Sequence, residues 1–135
     1  MKGNIMSGNI KKLTAFILLI IFLLGILLSG CTKDKVVGNY EGIIPCADCE
    51  GIKAELSVES DKTYTFSFTY LGTDSEPFVS TGNWEIDEEG RLVLLRSDGT
   101  VEQYLKIVSK EEVLMLDGDG NEITGMDLNF SLLRK

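Results

Sequence analysis

The chain has 135 residues, enough for one domain of ordinary size but not for two. Hydrophobic residues make up 44% of it and charged residues 25%, a balance that is typical of a globular protein and excludes a mainly disordered chain. The formal net charge is −8 and every acidic residue lies after residue 30, so the anionic body is a poor match for a phosphate backbone and we expect no nucleic-acid binding. The chain has no His, which removes the commonest general base and the commonest metal ligand.

The first thirty residues have the pattern of an export signal. Two lysines precede an apolar run over residues 13–28. A membrane-spanning helix needs about 20 residues, so this run is short for a span and close in length to the hydrophobic region of a signal peptide. We therefore predict a signal peptide over residues 1–30, and an uncleaved anchor helix is the alternative.

The apolar run ends in the sequence Leu-Ser-Gly-Cys at residues 28–31, which resembles the bacterial lipobox. In that pattern the cysteine is acylated and becomes the first residue of the mature chain. We therefore predict lipidation of Cys31, a short tether over residues 31–35 and a membrane anchor of several acyl chains, because one chain alone binds a membrane only marginally. Thr32 stands where an Asp would oppose export to the outer membrane, which by resemblance to Gram-negative sorting rules favours that membrane.

The two remaining cysteines, Cys46 and Cys49, form a C-x-x-C motif. Export places them in an oxidising compartment, which favours a disulfide between them. Two functional alternatives stay open. A thioredoxin-like redox pair would need its first cysteine at a helix N-terminus, whereas strand-like alternation follows Gly51. A reduced pair would offer two soft thiolates to Cu(I) or Zn(II), although a structural zinc site needs four ligands.

From residue 36 onward apolar residues recur with period two, which predicts β-strands and no helix. Alternation is clearest where Tyr64, Phe66, Phe68 and Tyr70 are separated by small polar residues, and a last strand is predicted from the alternation at residues 128–132. Turn signals rich in Gly, Asp and Ser separate the runs at short intervals, at residues 60–62, 72–74, 87–90, 97–99, 109–111 and 117–121. This spacing predicts an all-β sandwich or antiparallel barrel over residues 36–135.

The aromatic residues of this strand have two interpretations. Tyr64, Phe66, Phe68 and Tyr70, together with Trp84, are candidates to line a cavity for a small apolar ligand, as in carrier barrels. They are equally the pattern of one core-facing side of a strand. Because small barrels are usually filled by side chains, the core interpretation is favoured.

The acidic segment at residues 117–121 has the D-x-D-x-N spacing of a calcium loop. An EF-hand also needs Gly at its sixth position and a bidentate acid at its twelfth, where this chain has Glu122 and Leu128. We predict instead a hairpin turn between Leu116 and Ile123. No nucleophile has a His partner and no phosphate-binding motif is present, so we expect no enzymatic activity and no catalytic residues.

The segment GNYEGIIPCADCEGI at residues 38–52 resembles the N-terminal domain of the NlpE family of copper-resistance and envelope-stress lipoproteins. Every fixed position of the family pattern G-x-Y-x-G-x-x-P-C-A-D-C-x-G-I is matched. Tyr64 and the sequence Gly-Asn-Trp at residues 82–84 agree as well, so the resemblance covers about residues 36–133.

The resemblance implies a small lipocalin-like antiparallel β-barrel of six to eight strands on an outer-membrane lipid anchor. It implies copper tolerance and surface or envelope-stress sensing, with a Cpx-type signalling partner and with Cys46 and Cys49 as the characteristic pair. No cofactor is required, and copper is the one candidate, bound as Cu(I) by the reduced cysteines. The chain ends at Lys135, so we expect it to lack the second domain of the best-known members. A lipocalin-like carrier of a small apolar ligand is the alternative function.

Overall fold

The structure, a computed structural model, describes residues 12–20, 35–125 and 127–135. Residues 12–20 form a helix, which belongs to a different unit from the domain that follows. No helix among these described residues has the length and hydropathy needed to cross a membrane. Most of the predicted signal peptide, its cleavage point and Cys31 lie outside the described residues, so the signal peptide and the lipid anchor stay predictions.

Residues 35–125 and 127–135 form eight strands of four to nine residues. In chain order they are β1 (Gly38–Ile44), β2 (Ile52–Val58), β3 (Thr63–Tyr70), β4 (Phe78–Ile86), β5 (Leu92–Arg96), β6 (Val101–Ile107), β7 (Glu112–Met115) and β8 (Ser131–Arg134). The predicted turn signals fall between them, and Lys62 and four of the turn glycines have the positive φ that such turns require.

Consecutive strands pair antiparallel, and β1 pairs with β8, so the sheet is a closed barrel. The predicted all-β antiparallel barrel is therefore confirmed, with the strand number at the upper end of the expected range. The closing seam is short, because β1 and β8 pair only at Tyr40↔Arg134 and Glu41↔Leu133. Closure leaves no free strand edge where the ladders are complete, which protects the sheet from aggregation.

The alternation in the sequence places one side of each strand inside the barrel. On β2 and β3 the buried side chains Ala54, Leu56, Val58, Tyr64 and Phe66 alternate with residues that are partly or wholly exposed. The barrel interior is filled by Val36, Tyr40, Ile44, Ala54, Leu56, Val58, Tyr64, Phe66, Trp84, Leu92, Leu94, Leu105, Val113, Met115 and Leu132. This apolar burial is the main source of stability for a domain of about 100 residues.

The predicted last strand and the hairpin near residues 117–121 both differ from the structure. The turn itself forms, since Asp117 N–H donates to the Asn121 carbonyl at 2.9 Å and the Asp117 carboxylate accepts from the N–H of Asn121 at 2.8 Å. Ile123, however, lies in no strand, so the predicted hairpin is wrong. β7 pairs instead with β8, which lies further along the chain. The turn at residues 117–121 is held against the barrel, since Arg91 donates to the Gly120 carbonyl at 3.0 Å and its guanidinium stacks over the Tyr104 ring. The chain then runs as a loop, and the last strand forms at Ser131–Arg134, so that only residues 131 and 132 of the predicted strand at residues 128–132 lie in it.

Candidate functional site

The C-x-x-C motif lies in the seven-residue connection between β1 and β2. This connection follows Ile44↔Ile52, the last residue pair of the β1–β2 ladder. Cys46 and Cys49 are joined by a disulfide, and their Cα atoms are 5.4 Å apart, a usual separation for a disulfide. The predicted disulfide is therefore present. It closes a very small loop, so its effect on chain entropy is modest, and its main consequence is a rigid turn at one end of the barrel.

Gly51 fixes how this loop returns to the barrel. Its φ is +145°, a value that L side chains rarely adopt, and a Cβ at this position would lie 2.8 Å from Cγ2 of Ile43. The Gly51 carbonyl accepts a hydrogen bond from the N–H of Leu71 at 2.9 Å, which ties the loop to the chain after β3. A glycine is thus required at residue 51, the last position of the connection between β1 and β2, for both conformational and steric reasons.

The disulfide is accessible from outside. Cys46 and Cys49 are half-buried, and Ala47, Asp48 and Glu50 are exposed. The motif separates two shallow concavities, of which one is shared with residues 71–73 and the other with Ile43, Ile44, Leu128 and Asn129. The two carboxylates give this end of the loop a negative charge. Loop residues 71–73 and 128–129 could not be assigned to the motif from sequence, because their spacing along the chain carries no signal of contact.

The arrangement does not resemble a thioredoxin active site. Residues 45–51 form no helix, so neither sulfur receives the helix dipole that lowers the pKa of a catalytic thiol. Among the described residues, no group of three or more His, Cys, Asp and Glu is close enough to hold a metal ion. With both sulfurs in the disulfide, Cu(I) binding requires prior reduction and stays a prediction.

The five aromatic candidates occupy different environments. Tyr64, Phe66 and Trp84 are fully buried, Phe68 is partly buried with its ring centroid 4.4 Å from that of Phe66, and Tyr70 is 43% exposed at the end of β3. The buried polar atoms are satisfied, since Trp84 Nε1 donates to the Glu59 carbonyl at 2.8 Å and the Tyr64 hydroxyl donates to the Glu102 carboxylate. Three of the five therefore act as core, and the ligand cavity stays a prediction.

Burial of two tyrosines makes the barrel sensitive to alkaline pH. Burial and the hydrogen bond to Glu102 raise the pKa of Tyr64 well above its usual value, and burial also raises the pKa of Tyr40 although Arg134 opposes the rise. A raised folded-state pKa gives stability that is complete below about pH 10 and is lost as the pH rises toward that folded-state pKa.

We therefore expect the free energy of unfolding to be flat from pH 7 to about pH 9 and to fall above about pH 10, with a slope that reaches about 1.4 kcal/mol per pH unit from Tyr64 and with a smaller contribution from Tyr40. Urea unfolding at a series of pH values measures this. Tyr64→Phe should make the alkaline fall shallower, and an equally steep fall in that variant would show that Tyr64 is not coupled to unfolding.

Most of the domain that carries this site is similar in sequence to a known family. Residues 40–126 match the profile of the NlpE N-terminal domain. The chain belongs to the NlpE family. The resemblance noted at residues 38–52 is thereby confirmed, and it extends from β1 through the turn after β7. The C-x-x-C loop lies within the matched residues.

One similar protein sequence and two similar crystal structures agree with this assignment. The chain is 39% identical to lipoprotein NlpE of Escherichia coli K12 over 97 residues, which are 70% of this chain and 39% of that protein. A Shewanella oneidensis crystal structure, assigned as a lipoprotein, matches with a TM-score of 0.63 and 34% identity over 77% of this chain and 94% of that one. The crystal structure of the Cpx pathway activator NlpE from E. coli matches with a TM-score of 0.56 and 36% identity, over 66% of this chain and 46% of that one. The chain thus spans well under two thirds of E. coli NlpE.

Proposed function

We propose that this protein is a non-enzymatic lipoprotein of the bacterial outer membrane that links copper tolerance and envelope-stress or surface sensing to the state of its C-x-x-C loop. The observation that carries the proposal is the accessible Cys46–Cys49 disulfide, held at one end of a closed NlpE-type barrel. Cys31 supplies the lipid anchor.

The loop has two chemical states that differ in constraint and charge. In the oxidised state the disulfide holds residues 46–49 as a tight turn. A thiol reductant supplies two electrons and two protons and converts the disulfide to two thiols. Loss of the thiol protons then gives two soft sulfur ligands for Cu(I), and the exposed carboxylates of Asp48 and Glu50 attract the cation. Copper or a reducing envelope would thereby change the conformation that the loop presents.

An envelope-stress signalling protein is the proposed partner. Support comes from E. coli NlpE, which is described as the Cpx pathway activator. The matched residues span 39% of the length of E. coli NlpE. The proposed contact with a signalling protein is therefore limited to surfaces of the barrel domain, which include the loop at residues 45–51.

A complementation experiment in the native host tests the anchor and the loop together. A deletion strain receives the wild-type gene, Cys31→Ala or Cys46→Ser/Cys49→Ser, and growth in copper and an envelope-stress reporter are measured. We expect the wild type to restore copper tolerance and both variants to fail, with acyl labelling lost only in Cys31→Ala. Full complementation by the double-serine variant would refute the role of the loop, and acyl labelling that persists in Cys31→Ala would refute the anchor.

Direct copper binding is tested separately. The reduced wild-type protein is titrated with Cu(I) against a chelator of known affinity, beside the double-serine variant and Asp48→Asn, which keeps both sulfurs. We expect one Cu(I) per wild-type chain, weaker binding in Asp48→Asn and none in the double-serine variant. Equal Cu(I) binding by the wild type and the double-serine variant would refute the proposed copper site at Cys46 and Cys49.

A further inference from the structure

The edge of β4 that faces β5 is only half covered. β3 pairs with β4 from Phe78 to Asn83, whereas β5 pairs with it only from Gly82 to Ile86. β5 ends at Arg96 and the chain turns back at residues 97–100. Within the described ranges 12–20, 35–125 and 127–135, no strand pairs with Phe78–Thr81 on the β5 side.

The backbone groups of this open edge can be assigned from the hydrogen bonds further along β4. Trp84 N–H donates to the Lys62 carbonyl at 2.8 Å, which is toward β3. Because successive residues of a strand direct their N–H and C=O groups to opposite sides, Gly82, Ser80 and Phe78 also face β3. Val79 and Thr81 therefore direct their N–H and C=O groups toward the side that β5 leaves uncovered.

The open edge is also apolar. Phe78 is 62% exposed and Val79 is 56% exposed, on a segment with strand-forming residues and no Lys. Natural sheets usually protect such an edge with charged side chains or a bulge, since a row of unpaired backbone groups beside apolar side chains invites an additional strand. Here Pro77 precedes the strand, but the four residues after it carry no charge.

Charge indicates which kind of strand fits. Asp74 and Glu76 lie in the exposed connection that leads into β4, and exposed Asp98 lies in the turn that follows β5. Arg96 pairs with Gly82 at the end of the covered edge, and its guanidinium donates to the Val101 carbonyl. A second copy of this chain would place the same carboxylates against each other, in a protein of net charge −8. A strand that carries Lys or Arg would instead be attracted.

We propose that the open edge of β4, residues 78–81, is a docking site for an extended segment of a basic protein, which adds to the sheet as a strand beside Val79 and Thr81. Backbone hydrogen bonds from these two residues provide the affinity, Phe78 and Val79 provide apolar contacts, and the acidic flanks select for positive charge. The docking site goes beyond the proposed copper and stress function, and it does not require the C-x-x-C pair.

The test measures peptide binding to the purified full-length protein in detergent by fluorescence anisotropy. The probes are two labelled eight-residue peptides, one alternating Val with Lys and the other alternating Val with Glu. We expect the Lys peptide to bind at least tenfold more tightly than the Glu peptide, with weaker binding at high salt. No binding by the Lys peptide, or equal binding by both peptides, would overturn the proposal.

Val79→Pro is the decisive variant, since it removes a donor from the open edge while the ladder to β3 stays intact. We expect it to weaken the Lys peptide at least tenfold, whereas Val79→Ile binds as the wild type does. Equal affinity in folded Val79→Pro would overturn the proposal.

A second variant is used if near-ultraviolet circular dichroism shows that Val79→Pro is misfolded. Asp74→Asn/Glu76→Gln then takes its place, and an unchanged preference for the Lys peptide overturns the proposal. The oligomeric state of the wild type and of both variants is measured by analytical ultracentrifugation. A wild-type dimer that either Val79→Pro or Asp74→Asn/Glu76→Gln dissociates would overturn the proposal and assign the edge to a second copy of this chain. In every arm Cys46→Ser/Cys49→Ser serves as a control that should bind the peptide normally, so failure of the copper proposal is distinguishable.

Discussion

Phe66→Ala is expected to lower the free energy of unfolding by about 3–5 kcal/mol. Phe66 has no exposed surface and lies at the centre of β3, where its neighbours across the two ladders are Leu56 and Ser80. Truncation removes the buried ring and leaves a void that the surrounding closed sheet cannot collapse to fill. For a domain of this size such a loss corresponds to roughly 4–8 °C in Tm for each kcal/mol, so the variant should be close to unfolding at growth temperature.

Chemical denaturation of wild type, Phe66→Ala and Phe78→Ala measures the effect with a matched control. Phe78 is 62% exposed, so the same truncation there should change the free energy of unfolding by less than about 0.5 kcal/mol. The comparison also separates the two interpretations of the aromatic residues. A loss below about 1 kcal/mol for Phe66→Ala would contradict its role as core and revive the ligand cavity.

Much of the fold could be predicted because its signals are local. Period-two alternation identified β3 and β2, where buried residues alternate with more exposed ones at residues 54–58 and 64–66. Turn residues marked the connections from β2 to β3 and from β4 through β7 correctly, whereas the start of the last strand was misplaced. β4 was harder to recognise, because its first residues, Phe78 and Val79, are both apolar and both exposed, so no alternation is visible there. The same exposure that obscured the strand in sequence is what makes its open edge a docking candidate.

The candidate site was predicted in part for the same reason. Cys46 and Cys49 are close along the chain, so their disulfide could be predicted from their spacing and from the predicted export. The contacts around them are not local: Leu71 bonds to Gly51, and Leu128 lies beside the loop after a long connection. The turn at residues 117–121 shows the same limit, since its orientation depends on Arg91, which lies far away in sequence.

Arg134 is a further residue whose role no local pattern indicates, and it supports the weakest seam of the barrel. It lies in β8 opposite Tyr40, where β1 and β8 share only two residue pairs. Its guanidinium and Nε donate to the carbonyls of Val37 at 2.8 Å, Lys35 at 3.0 Å and Lys110 at 2.7 Å, and to the Tyr40 hydroxyl at 2.9 Å. One side chain of β8 thus joins the residues that precede β1, the β6–β7 turn and Tyr40 of β1.

Arg134→Ala should therefore lower the free energy of unfolding by about 2–3 kcal/mol, because partly buried acceptors lose a charged donor that water replaces only in part. Arg134→Lys should recover less than half of this, since a single ammonium group cannot reach divergent acceptors as the planar guanidinium does. Arg96→Ala, at an exposed site, is the matched control and should change stability by less than about 0.5 kcal/mol. Hydrogen exchange should locate the loss, with protection falling first at the β1–β8 seam. Full recovery by Arg134→Lys would mean that charge alone, and not the forked geometry of the guanidinium, holds the barrel closed.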